Sequence, residues 1–215
     1  KGKYKSKNAD RLMTLRQNMV QAGLDSYNTK DYANASKFFG TFVETRTQPL
    51  FDKTDFSREQ NFGQIAYYAA LAAYFDKNME KCKAYADAAL NSQDRDSVAS
   101  DVIVVKLGAL EEQAKTAAID TTAFISEVKA LYEMFPANEN IFAKLAGLYE
   151  ESGDKENAKK LLEQRLAQNP TDPMANAYIG QAAQNEGKYD EAIAAYEKAV
   201  AAKADFLAAK LNLGV

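Results

Sequence analysis

A spacing of 34 residues constrains this chain more than any other feature. Ala158 and Ala192, Gly153 and Gly187, and Leu162 and Tyr196 are each separated by that step. Residues 173–206 read as two amphipathic helices joined at a glycine turn. Tyr178, Ile179, Ala182 and Ala183 fall on one side of the first, and Ala192, Ile193, Tyr196 and Ala199 on one side of the second. Gly187 stands where the first helix must stop, because the residue after a helix favours a left-handed conformation that glycine adopts without steric cost. Asp172-Pro173 opens the unit with an acceptor side chain at the cap and a fixed φ at the first helical position. After Phe206 the pattern begins again, with Leu213-Gly214 falling on Ile179-Gly180. A helix pair recurring at this period marks a solenoid, in which no single pair buries its own apolar face and stacked pairs share one core.

The rest of the chain reads as weaker copies of that unit. A lysine-rich tail at 1–7 (Lys1, Lys3, Lys5 and Lys7) precedes a single array over 8–215. Its helix pairs are expected near 8–45, 61–91, 98–136, 139–172 and 173–206, with the start of another at 207–215. In the first pair Leu12, Leu15 and Met19 stripe one helix, and Tyr32, Ala35, Phe38, Phe39 and Phe42 the other. An insertion at 46–57 breaks the period. Leu50, Phe51 and Phe56 are too apolar for a free loop and are expected to pack back, while Ser57 is expected to cap the next helix with Gln60 three residues on. Lys1 is not a methionine, so a leader removed before it or a longer parent chain is expected. The apolar Leu207, Leu211 and Leu213 predict that the protein continues past Val215 or that this end meets another chain, including self-association through the C-terminal helix.

Composition narrows the function. The net charge of −3 argues against a nucleic-acid surface. No run of 18 apolar residues could span a membrane. The absence of histidine removes the commonest general base and zinc ligand. Cys82 stands alone, so neither an internal disulfide nor a cysteine metal cluster can form. No phosphate-binding glycine loop appears, and acidic pairs such as Glu150-Glu151 point about 100° apart on a helix. No cofactor, metal or catalytic residue is expected. The compartment stays open between cytoplasmic and, if a leader was removed, bacterial periplasmic.

On these residues the chain resembles the tetratricopeptide repeat (TPR) family. The family places small residues at repeat positions 8 and 20, matched here by Gly180 and Ala146 and by Ala192 and Ala158. A large residue at position 24 is matched by Tyr196, a small one at 27 by Ala199, and proline at 32 by Pro170 and Pro136. Gly23, Ala35 and Phe39 fit positions 8, 20 and 24 of the first pair, and Cys82 takes position 20 of the second. The resemblance implies an all-α, right-handed α-solenoid of antiparallel helix pairs acting as a non-catalytic protein-interaction scaffold. Its partner is expected to be a protein or peptide bound in a concave groove lined by the first helix of each pair. Carried over by repeat position, that groove takes Tyr27 and Asn28, then Gln64, Tyr67, Tyr68, Tyr74 and Phe75, then Tyr178, Gln181 and Asn185. The family's clamp for chaperone tails needs basic and amide residues where this chain has Val20, Leu24 and Tyr68, so that activity is not expected. The alternatives are an architectural subunit of a bacterial envelope or secretion complex and, in another class, a small-ligand-binding or enzymatic protein.

Overall fold

Short polar side chains set five of the helix starts. Asp31 accepts a hydrogen bond from the Asn34 N–H and opens α2 (Tyr32–Glu44). Asn78 does the same for α4 (Met79–Leu90), Asn138 for α7 (Glu139–Ser152), Asp154 for α8 (Lys155–Gln168) and Asp172 for α9 (Pro173–Asn185). Each satisfies a first-turn N–H that has no intrahelical partner. Gly153 and Gly187 take the left-handed conformation at φ +73° and +74°, as their places at helix ends require. The remaining helices are α1 (Gly2–Asn28), α3 (Phe62–Phe75), α5 (Ala99–Lys115), α6 (Thr121–Met134), α10 (Tyr189–Ala202) and α11 (Leu207–Leu213).

The computed structural model describes residues 2–57 and 59–214, without the side chains of 2–6 and 10, and all regular structure among them is helical. The lysine run expected as a tail falls partly outside this, Lys1 by residue and Lys3 and Lys5 by side chain. Val215, the last residue of the helix-pair start expected at 207–215, also lies outside it. No described helix is long and apolar enough to cross a membrane. The chain divides into two units between Asp120 and Thr121. That boundary lies inside 98–136, so α5 belongs to the first unit and α6 to the second.

In the first unit α1 to α5 pack in chain order around Phe39, Phe42, Ala66, Ala69 and Ala70, all fully buried. A Cβ on Gly23 would stand 2.6 Å from the Phe39 ring, so the glycine is what lets α1 and α2 close. The buried line of α1 differs from the apolar stripe read in its sequence. Ala9, Arg16 and Gly23 face inward at seven-residue spacing, while Leu12 and Leu15 are 39% and 51% exposed. Arg16 turns in because its partners lie there. Its Nε donates to Phe42 O and Thr45 Oγ1, its guanidinium pairs with Glu59, and its plane lies 3.6 Å from the Phe42 ring. Arg46 shares Glu59 at 2.6 Å and covers the Phe62 ring. This Arg–Glu–Arg group, with Phe51 buried and Phe56 between the two guanidinium groups, ties the inserted segment to α1 and α3.

The start of α3 corrects the expectation for Ser57. Asn61, left-handed at φ 62°, precedes Phe62 and makes no side-chain cap. The Gly63 N–H instead donates to both Asp94 carboxylate oxygens, at 2.9 and 3.1 Å. An acceptor 31 residues downstream thus replaces the local one, which sequence spacing cannot reveal.

In the second unit α9 and α10 close on Gly180 and Tyr196. A Cβ on Gly180 would lie 2.7 Å from that ring, and the Tyr196 hydroxyl donates to Gln184 Oε1 at 2.9 Å. Ala192, Ala195, Tyr196 and Ala199 are buried, whereas Ile193 is 47% exposed on the far side. Helix α8 buries only Leu161 and Arg165. Arg165 is held by Asp172 at 2.8 Å and the Pro136 carbonyl, over the Phe142 ring.

Candidate functional site

The alanines of α3 decide where its aromatics go. Ala66, Ala69, Ala70, Ala72 and Ala73 are fully buried and let neighbouring backbones approach. The larger side chains are thereby left at the flanks of the helix, where they are only partly covered. Tyr68 stacks on buried Phe39 with centroids 5.8 Å apart, and sits edge-on to Tyr27 at 6.1 Å. Tyr27 meets Tyr32 at 5.5 Å, and Tyr32 meets Phe75 at 4.8 Å. Tyr67 adjoins Tyr68 at 5.6 Å and Tyr74 adjoins Phe75 at 6.0 Å. Six rings therefore form an unbroken series, Tyr67–Tyr68–Tyr27–Tyr32–Phe75–Tyr74. None is fully buried, and Phe75 is 44% exposed. Asn28 is exposed beside the series at the end of α1, and Gln64 is half-buried one turn before Tyr67 and Tyr68.

Tyr32 was not among the residues carried over by repeat position. Those positions fall on the first helix of each pair, and Tyr32 is the first residue of α2. The sequence pattern places Tyr32 in the apolar stripe of that helix, whereas the structure leaves it half-buried, with its ring against Tyr27 and Phe75.

Burial raises the Tyr27 and Tyr67 hydroxyls above the usual phenol range. Neighbouring tyrosines add to the effect at Tyr27, as do Asp101 and Tyr68 at Tyr67. Both groups are neutral at physiological pH and can donate as well as accept hydrogen bonds. The surface is thus aromatic, polar at its hydroxyls and free of formal charge on its rings. It can stack against apolar side chains and bond a polypeptide backbone.

The three residues on α9 form a separate group in the second unit. The Tyr178 hydroxyl donates to Ala143 O at 2.9 Å, and its ring meets Phe142 edge-on at 5.8 Å. Gln181 donates to Asn185, and Asn185 donates to Glu150 Oε1 at 2.9 Å. Tyr178 and Asn185 also border a cavity of about 480 Å³ among α7, α8, α9 and α10.

No group of three or more His, Cys, Asp or Glu among the described residues could hold a metal. Cys82 is fully buried, and burial pushes its thiol up to about 12, so it stays a protonated core residue.

Residues 142–174 and 177–206 each match a family model of the tetratricopeptide repeat. No curated protein matches the chain. Among solved structures, the MamA protein is 13% identical with a TM-score of 0.53, over 93% of this chain and 96% of that one. YrrB, a TPR protein with an unusual peptide-binding site, is 12% identical with a TM-score of 0.52, over 92% and 91%. At such identities the likeness is one of fold, that of the all-α helix-pair solenoids.

Proposed function

We propose that this chain, a tetratricopeptide-repeat protein, is a non-catalytic scaffold that holds a protein or peptide partner against the aromatic face of α3. The observation that carries the reading is the continuous series of six partly exposed rings from Tyr67 to Tyr74. Tyrosine offers a large, rigid contact area at low entropic cost, and its hydroxyl tolerates both water and partner. Asn28 and Gln64 supply amides for a polypeptide backbone. The binding of a peptide by a protein of the same fold, YrrB, agrees in class with this reading.

A second element concerns α11. Leu207 and Leu211 are 65% and 68% exposed on it, and self-association through that face fits their exposure. Sedimentation of the wild type against Leu207→Lys/Leu211→Lys reads this directly, and an unchanged monomer in both removes it.

The test of the main reading is capture of partners from native lysate by the wild type and by Tyr67→Ala/Tyr68→Ala, with helicity and melting followed in parallel. The double variant is expected to keep its helices and lose a partner that the wild type retains. Unchanged capture by a folded variant contradicts the reading.

A further inference from the structure

We propose that the cavity among α7, α8, α9 and α10 is a pocket for a tyrosine side chain of a partner polypeptide, an assignment that rests on reading the protein as a polypeptide-binding scaffold. The molecule contains its own template for the ligand. In the α9–α10 pair, Tyr196 lies on Gly180 and its hydroxyl donates to Gln184. The residues 34 positions earlier are Leu162, Ala146 and Glu150, and all three line the cavity. Leucine supplies neither the reach of a phenol ring nor its hydroxyl. The seam that Tyr196 fills from within its own repeat therefore stays open between α7 and α8, and Ala158 is half-buried where Ala192 is 3% exposed.

The chemistry of the walls selects the same group. Ala146, Tyr149, Ala158, Leu162, Ile179 and Ala182 give apolar surface suited to an aromatic ring. Glu150 takes the place of Gln184 as acceptor. Its Oε1 already receives Asn185 Nδ2, and a carboxylate has capacity for further donors. Three lysines (155, 159 and 188) and three glutamates (150, 186 and 191) line the cavity, so it carries no net charge to recruit a charged ligand. Lys155 and Lys188 both pair with Glu186, at 3.6 and 2.9 Å. The Arg165–Asp172 pair holds the C-terminal end of α8, so the seam is braced against collapse.

The test uses p-cresol as the phenol probe and toluene as the control, titrated into the full chain with labelled Leu162, Ile179 and Ala158 methyl groups. Saturable shifts with p-cresol are expected, with affinity about tenfold above that of toluene, the effect of one hydrogen bond to a charged acceptor. Glu150→Gln, which keeps an acceptor without the charge, should reduce that preference and Glu150→Ala should abolish it. Leu162→Tyr, with helicity checked by circular dichroism, should abolish binding by filling the seam from within. The assignment is overturned if these methyls show no saturable response in the wild type, if toluene binds as well as p-cresol, or if a folded Leu162→Tyr variant binds as before. No partner is needed, so failure here leaves the α3 reading standing, and failure of capture through Tyr67 and Tyr68 leaves this titration unaffected.

Discussion

The pairs α7–α8 and α9–α10 are built from the same 34-residue pattern, yet one is sealed and the other open. Both carry alanine at repeat position 20 and a small residue at 8. The difference lies at position 24, where α10 has Tyr196 and α8 has Leu162. The tyrosine fills its seam and finds an acceptor in Gln184. The leucine leaves Ala158 half-buried beside a cavity of about 480 Å³, and α8 relies on Arg165 for its anchorage. In these two pairs the small residues at positions 8 and 20 are shared, and the residue at position 24 is what differs beside the cavity.

The largest expected effect comes from cutting that anchor. Asp172→Ala removes both the cap of α9 and the partner of buried Arg165, and should cost about 3–5 kcal/mol in urea unfolding, as breaking a buried pair does. An unchanged midpoint would mean that α8 is held by something other than Arg165.

Exchanging the position-24 residues sharpens the contrast. Tyr196→Leu should lose about 2 kcal/mol by opening a sealed seam. Leu162→Tyr should gain about 0.5–2 kcal/mol as a cavity-filling change. Equal and opposite sites would give opposite signs in melting experiments, whereas losses in both would show that the α7–α8 seam is already well packed. The same logic applies to alanine at position 20. Ala192→Leu should cost about 1–3 kcal/mol by overpacking, and Ala158→Leu much less because the cavity receives it.

The smallest effect is that of acid. Asp154 caps α8, and its hydrogen bonds from the Asn157 side chain and backbone hold its carboxyl below the ordinary value of 3.8. A depressed folded value means that this stabilisation is complete above 3.8 and is lost as the pH falls through the folded value. The cap residue of α10 is Lys188, which makes no side-chain cap bond. Acid titration followed by amide chemical shifts should therefore fray the start of α8 before that of α10, and simultaneous fraying would remove the role given to Asp154.

Much of this was legible in residue order, and the exceptions share a cause. Gly153, Gly187 and Asp172 follow from local chemistry and from the period, so the sequence exposes them, whereas the packing of the Phe39 ring on Gly23 and of the Tyr196 ring on Gly180 is seen only in the structure. Arg16 does not, because an apolar stripe is read by discarding charged residues, and its burial depends on Glu59, which is 43 residues away. The cap of α3 by Asp94 and the exposure of Ile193 likewise depend on which distant element arrives at each helix. At the candidate site, the aromatics of α3 were visible as a cluster. The ring contacts through Tyr32 that join them were not, since they cross from one helix to the start of the next.

Native-state hydrogen exchange across the second unit measures the central contrast most directly. Amides of α8 should open with protection at least about tenfold below those of α10, because the seam above α8 lacks the ring that closes its counterpart. Protection in α8 equal to or greater than that in α10 would contradict the account.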